Sequence, residues 1–290
     1  MTTPSKKILT FLVLTFALST PLYYFIATSD STHSYSTWLM WAPGVAAIIT
    51  QLLFTRSIAG LGWAPGKTKY LLAGYLIPFI YVSVVYGLVW LSGIGPLDIV
   101  GFANTMGTQA PFTLPTPTQQ AAGAILYFAT YGVLTTSWAT LGEEIGWRGV
   151  LVPELAKRFS FAQISLISGA IWAVWHFPVL LLADYNNAGA PLWFGLLCFS
   201  VLVISISFAF TWLRLKSGSV WVTVLMHASH NIAIQAIFTK LTGATPFTPY
   251  VIDEFGAGLA LMGLVIAYLF WRRSAWLQYA TPAQSDRSRP

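Results

Sequence analysis

The sequence predicts an all-α protein, a polytopic membrane helical bundle of about eight transmembrane helices with N-terminus and C-terminus both inside. Three observations carry this reading. The 290 residues are 56% hydrophobic and only 8% charged, whereas an ordinary soluble domain carries about 25% charged residues. Apolar stretches of roughly 20 residues, the length needed to cross a hydrocarbon core about 30 Å thick, recur along the whole chain. Lysine and arginine collect in alternate connections. The same composition excludes disorder, collagen-like repeats, coiled coil and disulfide scaffolds. With Cys198 the sole cysteine, no intrachain disulfide can form. Fifteen Lys and Arg spread over the chain make no basic face, so the expected partner is the lipid bilayer and not nucleic acid.

The first span, 8–27, follows Lys6 and Lys7. It is long for a signal peptide, and Ala27-Thr28-Ser29 is only a fair cleavage site, so a retained signal-anchor helix is expected. The second and third spans are 38–54 and 70–91, separated by turn-forming residues in 60–69. The longest connection, 92–120, is polar and nearly uncharged and reads as an external, partly helical loop, either lid or spacer. The remaining spans are 121–141, 161–182, 192–213, 220–239 and 256–271. Threading them with the N-terminus inside places Lys6, Lys7, Arg56, Lys67, Lys69, Lys157, Arg158, Arg214, Lys216, Arg272, Arg273, Arg287 and Arg289 on one side. Lys240 alone falls on the other, and Arg148 belongs to a separate motif. That is the bias of cytoplasmic loops. Asp30, Asp98, Asp184, Asp253 and Glu254 lie in the opposite loops. The whole of 1–290 is expected to be one integral membrane domain, with 121–239 its core.

Ionisable residues within a span are costly, about 2.5–3.5 kcal/mol each on insertion scales, and mark candidate sites. They fall in three clusters. In Gly142-Glu143-Glu144-Ile145-Gly146-Trp147-Arg148, the fourfold spacing puts Glu144 and Arg148 on one helix face as an ion pair. Glu143 then points about 100° away and is left for chemistry. The competing reading makes both carboxylates a cap at the water boundary. In the second cluster, His176 follows Trp172 and Trp175. If spans four and five form a hairpin turning at 157–160, its centre lies near residue ~159.5, with Glu143 and His176 each about 16.5 residues away and thus at similar depth. A lone histidine among aromatics is otherwise a packing residue. In the third, His227 and Asn231 share a face of span seven and His230 lies one position off it; interhelical hydrogen bonding is the competing role.

These side chains suit hydrolysis. A shielded carboxylate, Glu143, beside His176 can deprotonate a water, and His227 and Asn231 can donate to the oxyanion that forms. No serine or cysteine is placed as a nucleophile, so water attacking an amide is expected. Glu143, His176 and His227 are also zinc-ligand types, and a zinc site built on them is the alternative, although the His-Glu-x-x-His spacing is absent.

Glu143-Glu144-x-x-x-Arg148, then Trp172-x-x-x-His176, then His227-x-x-x-Asn231, resemble the three ordered motifs of the CPBP family, the type II CAAX prenyl endopeptidases and related bacteriocin-processing or immunity proteins. The motifs cover about a third of the chain. The resemblance implies an intramembrane glutamate protease of eight helices with a cavity open to the cytoplasm, no cofactor, and a membrane-embedded or lipid-modified peptide as substrate. Glu143 and His176 would activate water, His227 and Asn231 form the oxyanion hole, and Glu144 and Arg148 support the site. Trp172 stands where the family usually has Phe, which implies a changed cavity wall. A bacterial plasma membrane is the expected location. The rival functions are a non-catalytic scaffold or immunity protein, and a transporter, for which no inverted repeat is found.

Overall fold

The computed structural model describes residues 3–28, 32–183 and 189–277. Asp30, Asp184, Arg287 and Arg289, assigned to loops above, lie outside the described residues. Among the described residues the chain is all-helical, with no strand beyond an isolated bridge between Leu97 and Thr242.

Helices α1 (Thr3–Thr28), α2 (Thr32–Thr55) and α3 (Thr68–Leu91) correspond to the first three predicted spans. The long connection is partly helical, as expected: Asp98 caps the short α4 (Ile99–Thr105), its side chain accepting from the Gly101 N–H at 2.8 Å. Thr116 then caps α5 (Pro117–Tyr127), with Pro117 in the first turn, where a missing N–H costs nothing.

The fourth span differs from its prediction. Instead of ending at 141, a continuous helical path runs from Pro117 to Ala156 through α5, a π turn Phe128–Gly132, α6 (Val133–Glu144), a second π turn Ile145–Leu151 and α7 (Val152–Ala156). Hydropathy ends a span at its first charges, but here the charges are paired inside the protein and the helix continues through them. The bend expected from Gly149 and Pro153 takes the form of the second π turn, just ahead of the proline whose N–H is missing from the ladder. The chain then reverses where predicted. Ser160 caps α8 (Phe161–Leu182) in a reciprocal capping box with Gln163.

Helix α9 (Leu192–Ser217) ends at Gly218 in the left-handed region, with Arg214 and Lys216 in its last turn. Helix α10 (Trp221–Asn231) continues into a π turn, Ile232–Phe238; a short α11 (Thr248–Val251) precedes α12 (Ala257–Arg273). Five of these helices, α1, α2 from Tyr35, α3, α8 and α9, are long and apolar enough to cross a membrane.

Two features position the site. Helix α6 packs between α2 and α10, and α9 packs on α8 and α12. At the α2–α6 crossing a Cβ on Gly142 would meet the Met40 carbonyl and Trp41 Cα at 2.6 Å, and one on Gly146 would meet Pro43 at 2.6 Å. Small residues four apart let the two backbones touch, as membrane helices do when packing replaces the hydrophobic effect. The outside is apolar. On α3, Leu72, Leu76, Ile80, Val84 and Leu88 form an exposed stripe one turn apart, which only a lipid environment leaves without cost. The protein is an integral, multi-pass membrane bundle.

Candidate active site

Glu143 and Glu144 close α6, and both are buried, at 1% and 0% exposure. They are therefore not a cap at the water boundary. Consecutive helical positions send them to different neighbours. Glu144 Oε1 receives Arg148 Nη1 at 2.9 Å and His227 Nδ1 at 3.0 Å. The predicted ion pair is thus formed, and it holds a histidine of α10 as well. The Arg148 guanidinium lies between two rings, 4.2 Å from the Trp172 centroid and 4.1 Å from that of Phe210, so flat aromatic faces offset part of the loss of hydration.

Glu143 turns the other way. Its Oε2 accepts the indole N–H of Trp172 at 2.7 Å and that of Trp147 at 3.3 Å. Oε1 receives neither of the two indoles. His176, one turn beyond Trp172 on α8, has Nδ1 at 2.9 Å from the Trp172 carbonyl. A carbonyl only accepts, so Nδ1 carries the proton and Nε2 presents a lone pair.

The hairpin brings Glu143 and His176 to one cavity, as equal depth predicted, but among the described residues they share no direct hydrogen bond. The Trp172 indole reaches Glu143 first. Trp172 is accordingly more than a wall: its N–H is a ligand of the carboxylate.

The cavity measures about 370 Å³ and is lined by Glu143, Trp172, His176, His227 and Asn231, with apolar walls from Leu39, Met40, Trp175, Phe199 and Val203. Five of the seven predicted site residues thus meet there, while Glu144 and Arg148 sit behind His227 and Trp172. The sequence reading missed a second polar wall. His230 sits between the Tyr81 hydroxyl and Glu254, with Nε2 3.2 Å from Glu254 Oε1. Gln235 Nε2 lies 3.3 and 3.2 Å from the two Glu254 oxygens. His230, Gln235 and Glu254 line the same cavity. Asp253, in the turn before α12, is pushed up to about 6 by burial and by the Glu254 charge beside it. Trp147 was legible as the residue four after Glu143; nothing in local spacing announces Glu254.

The zinc alternative requires Glu143, His176 and His227 to converge on one point. Among the described residues no three His, Cys, Asp or Glu side chains do so.

Residues 124–233, which contain all three motifs, match the family described as Type II CAAX prenyl endopeptidase Rce1-like. A curated relative, the CAAX prenyl protease 2 of Methanococcus maripaludis, is 30% identical over 94 residues, 31% of this chain and 34% of the relative. The chain thus spans about a third of the length of the curated relative it matches. The Rce1-like segment runs from α5 into the last π turn, and Glu254 lies beyond it.

Proposed function

We propose that the protein is an intramembrane endopeptidase that hydrolyses a peptide bond of a membrane-associated or lipid-modified peptide, with water activated by Glu143 and His176. The observation carrying this reading is the Glu143 carboxylate, fixed at Oε2 by two indole donors and facing the cavity beside His176.

A water lodged there gives one hydrogen to Glu143 Oε1 and the other to His176 Nε2, leaving an oxygen lone pair to attack the scissile carbonyl carbon. As the C–O bond forms, Glu143 takes the proton and the carbonyl oxygen becomes an oxyanion. His227 and Asn231, one helical turn apart on α10, receive it. With Nδ1 held toward Glu144, the opposite edge of the His227 ring, Nε2, faces the cavity as its donor to the oxyanion. Collapse of the intermediate breaks the C–N bond, and Glu143 passes its proton to the departing amine. The products are a carboxylate and an amine, and no metal takes part in this reading.

Residues 124–233 match an endopeptidase family and 94 residues resemble a CAAX prenyl protease, which supports a lipid-bearing C-terminal peptide as the substrate class. The charge bias of the loops supports both termini inside; a bacterial plasma membrane is the location proposed with it. The test is mass spectrometry of lipopeptides and membrane peptides incubated with purified protein. Wild type should cleave with or without a chelator, and E143Q, still folded, should lose at least about a thousandfold in rate, the scale of a removed general base. Cleavage by E143Q at the wild-type rate would falsify the assignment; loss of cleavage on chelation would transfer it to a metal. A scaffold or immunity protein keeps its cellular effect in E143Q, and a transporter shows flux in proteoliposomes without changing peptide length.

A further inference from the structure

The bundle has two ends, and its contacts tell them apart. At one end, Lys7 in the first turns of α1 pairs with Glu154 of α7 at 2.8 Å, and Arg158 donates to the Ser5 hydroxyl. The last turns of α9 and α12 meet there too, the Trp212 indole donating to the Arg273 carbonyl at 3.1 Å. The connection from α2 to α3 joins this end, since the Val220 N–H, just ahead of α10, donates to the Gly62 carbonyl at 2.9 Å. At the other end, the connection from α3 to α4 meets the one that leads away from α10. The Asp98 N–H donates to the Leu241 carbonyl and the Gly243 N–H to the Pro96 carbonyl, both at 2.8 Å. Among the described Lys and Arg, Arg148 lies inside, Lys240 belongs to this second end, and the rest belong to the first.

The cavity opens toward the second end. Its lining on α8 runs from Trp172 through His176 and Val179 to Ala183, one residue past the end of that helix. Along α10 and its π turn it runs from His227 through Asn231 to Gln235. Helix α1 contributes Ile26, near its last residue, and α2 contributes Ser36, near its first. On α1, α2 and α8 every lining residue thus lies in the half nearer the second end. Ser36, Val179, Ala183 and Gln235 are half-buried. Toward the first end the way is shut. Ile145, Trp147, Arg148, Val150 and Leu151, which follow the two glutamates, are each exposed by 1% or less, and the Arg148 guanidinium fills the gap between Trp172 and Phe210.

Two expectations drawn from the sequence therefore exclude each other. The Lys and Arg bias puts the first end inside, whereas the family resemblance implies a cavity open to the cytoplasm. The bias is carried by connections and helix ends along the whole described chain, and the family likeness is confined to residues 124–233. The bias is the stronger guide to this chain.

We propose that the cavity is entered from the outer face of the membrane, and that its substrate is a peptide segment presented there by an exported or membrane-spanning chain. What is cleaved rests on the endopeptidase reading; the side of entry does not. From Trp172 to Ala183 the helix rises roughly 16 Å, a depth that an extended chain covers in about five residues. The substrate must be free of folded structure over about that length beside the scissile bond.

The test reads the side of entry directly. In full-length protein with Cys198 replaced by Ser, single cysteines at Ser36 and Ala183 meet a membrane-impermeant maleimide in spheroplasts and in inverted vesicles. Cysteines at Lys67 and Lys240 mark the two faces. S36C and A183C should label in spheroplasts, as K240C does, and stay unlabelled in inverted vesicles, where K67C reacts. Their labelling in inverted vesicles, or in neither preparation, overturns the proposal. The two positions stand on different helices, so one misfolded variant leaves the other to decide. A second measurement joins entry to cleavage. A peptide that purified wild type cleaves, tagged with a sulfonated dye that cannot cross the bilayer, should be cut by spheroplasts and not by inverted vesicles. Maleimide on A183C should stop that cutting. Cleavage by inverted vesicles alone overturns outer entry and leaves the endopeptidase standing. If purified wild type cleaves no peptide, the endopeptidase reading fails and the labelling still decides the side of entry.

Discussion

Replacing Trp172 by Phe keeps a ring against Arg148 and His227 and removes one N–H. The structure makes that hydrogen atom matter, because the Trp172 indole is the shorter of the two donors to Glu143 Oε2. W172F should lower kcat by roughly tenfold or more, the scale of a lost hydrogen bond to a charged group, with KM little changed. W147F, at the longer bond, should cost less. Equal loss in kcat and binding would mean that Trp172 only shapes the cavity. The role of Trp172 could be read from the sequence only in part. Fourfold spacing places it one turn before His176, but whether the indole nitrogen faces the carboxylate depends on a side-chain rotamer set by packing. The Glu144–Arg148 pair needed no such information, since two opposite charges four apart on a buried helix have few other ways to be satisfied.

Among the elements, the α7–α8 hairpin was legible because its turn chemistry is local: Ser160 and Gln163 announce a helix start wherever they occur in that spacing. The length of α6 was not. A hydropathy window treats Glu143, Glu144 and Arg148 as the end of a span, whereas their partners on α8 and α10 let the helix carry them inside. The crossing of α2 over α6 is the element-scale feature most open to test. The atoms that a Cβ at Gly142 would meet are backbone, which cannot turn aside as a flexible side chain can. Gly142→Leu should separate the two helices and lower the melting temperature and the folded yield by size exclusion, consistent with an overpacking cost of about 1–3 kcal/mol or more. Gly87, with nothing near its Cβ position, is the control, and its replacement by Leu should leave both readouts nearly unchanged. Equal tolerance at the two positions would mean the helices do not meet as described.

For the molecule as a whole, the distribution of Lys and Arg sets the expected orientation. After Cys198 is replaced by Ser, single cysteines introduced at Lys67 and Lys216 should react with a membrane-impermeant thiol reagent only when the inner face is opened. One at Lys240 should react in intact cells. The opposite pattern would invert the assignment of both termini. The composition made the membrane legible at once, and three short motifs made the centre of the bundle legible. The wall opposite Glu143 was not, because Glu254 reaches His230 only after the chain has left α10, passed α11 and turned at Asp253. A residue in that position reads as one more acid in a loop until the return path is known.

The helical path from Pro117 to Ala156 has a mechanical side. At 1.5 Å per residue a helix of about 40 residues is roughly 60 Å long, twice the thickness of the hydrocarbon it enters. The path joins the 92–120 connection to Glu143 with one π turn and no loop between them. A load applied where α5 begins is carried to Glu143 without passing through any loop. Bending between α5 and Glu143 would therefore concentrate at the π turn Phe128–Gly132, since the second one starts only after Glu144.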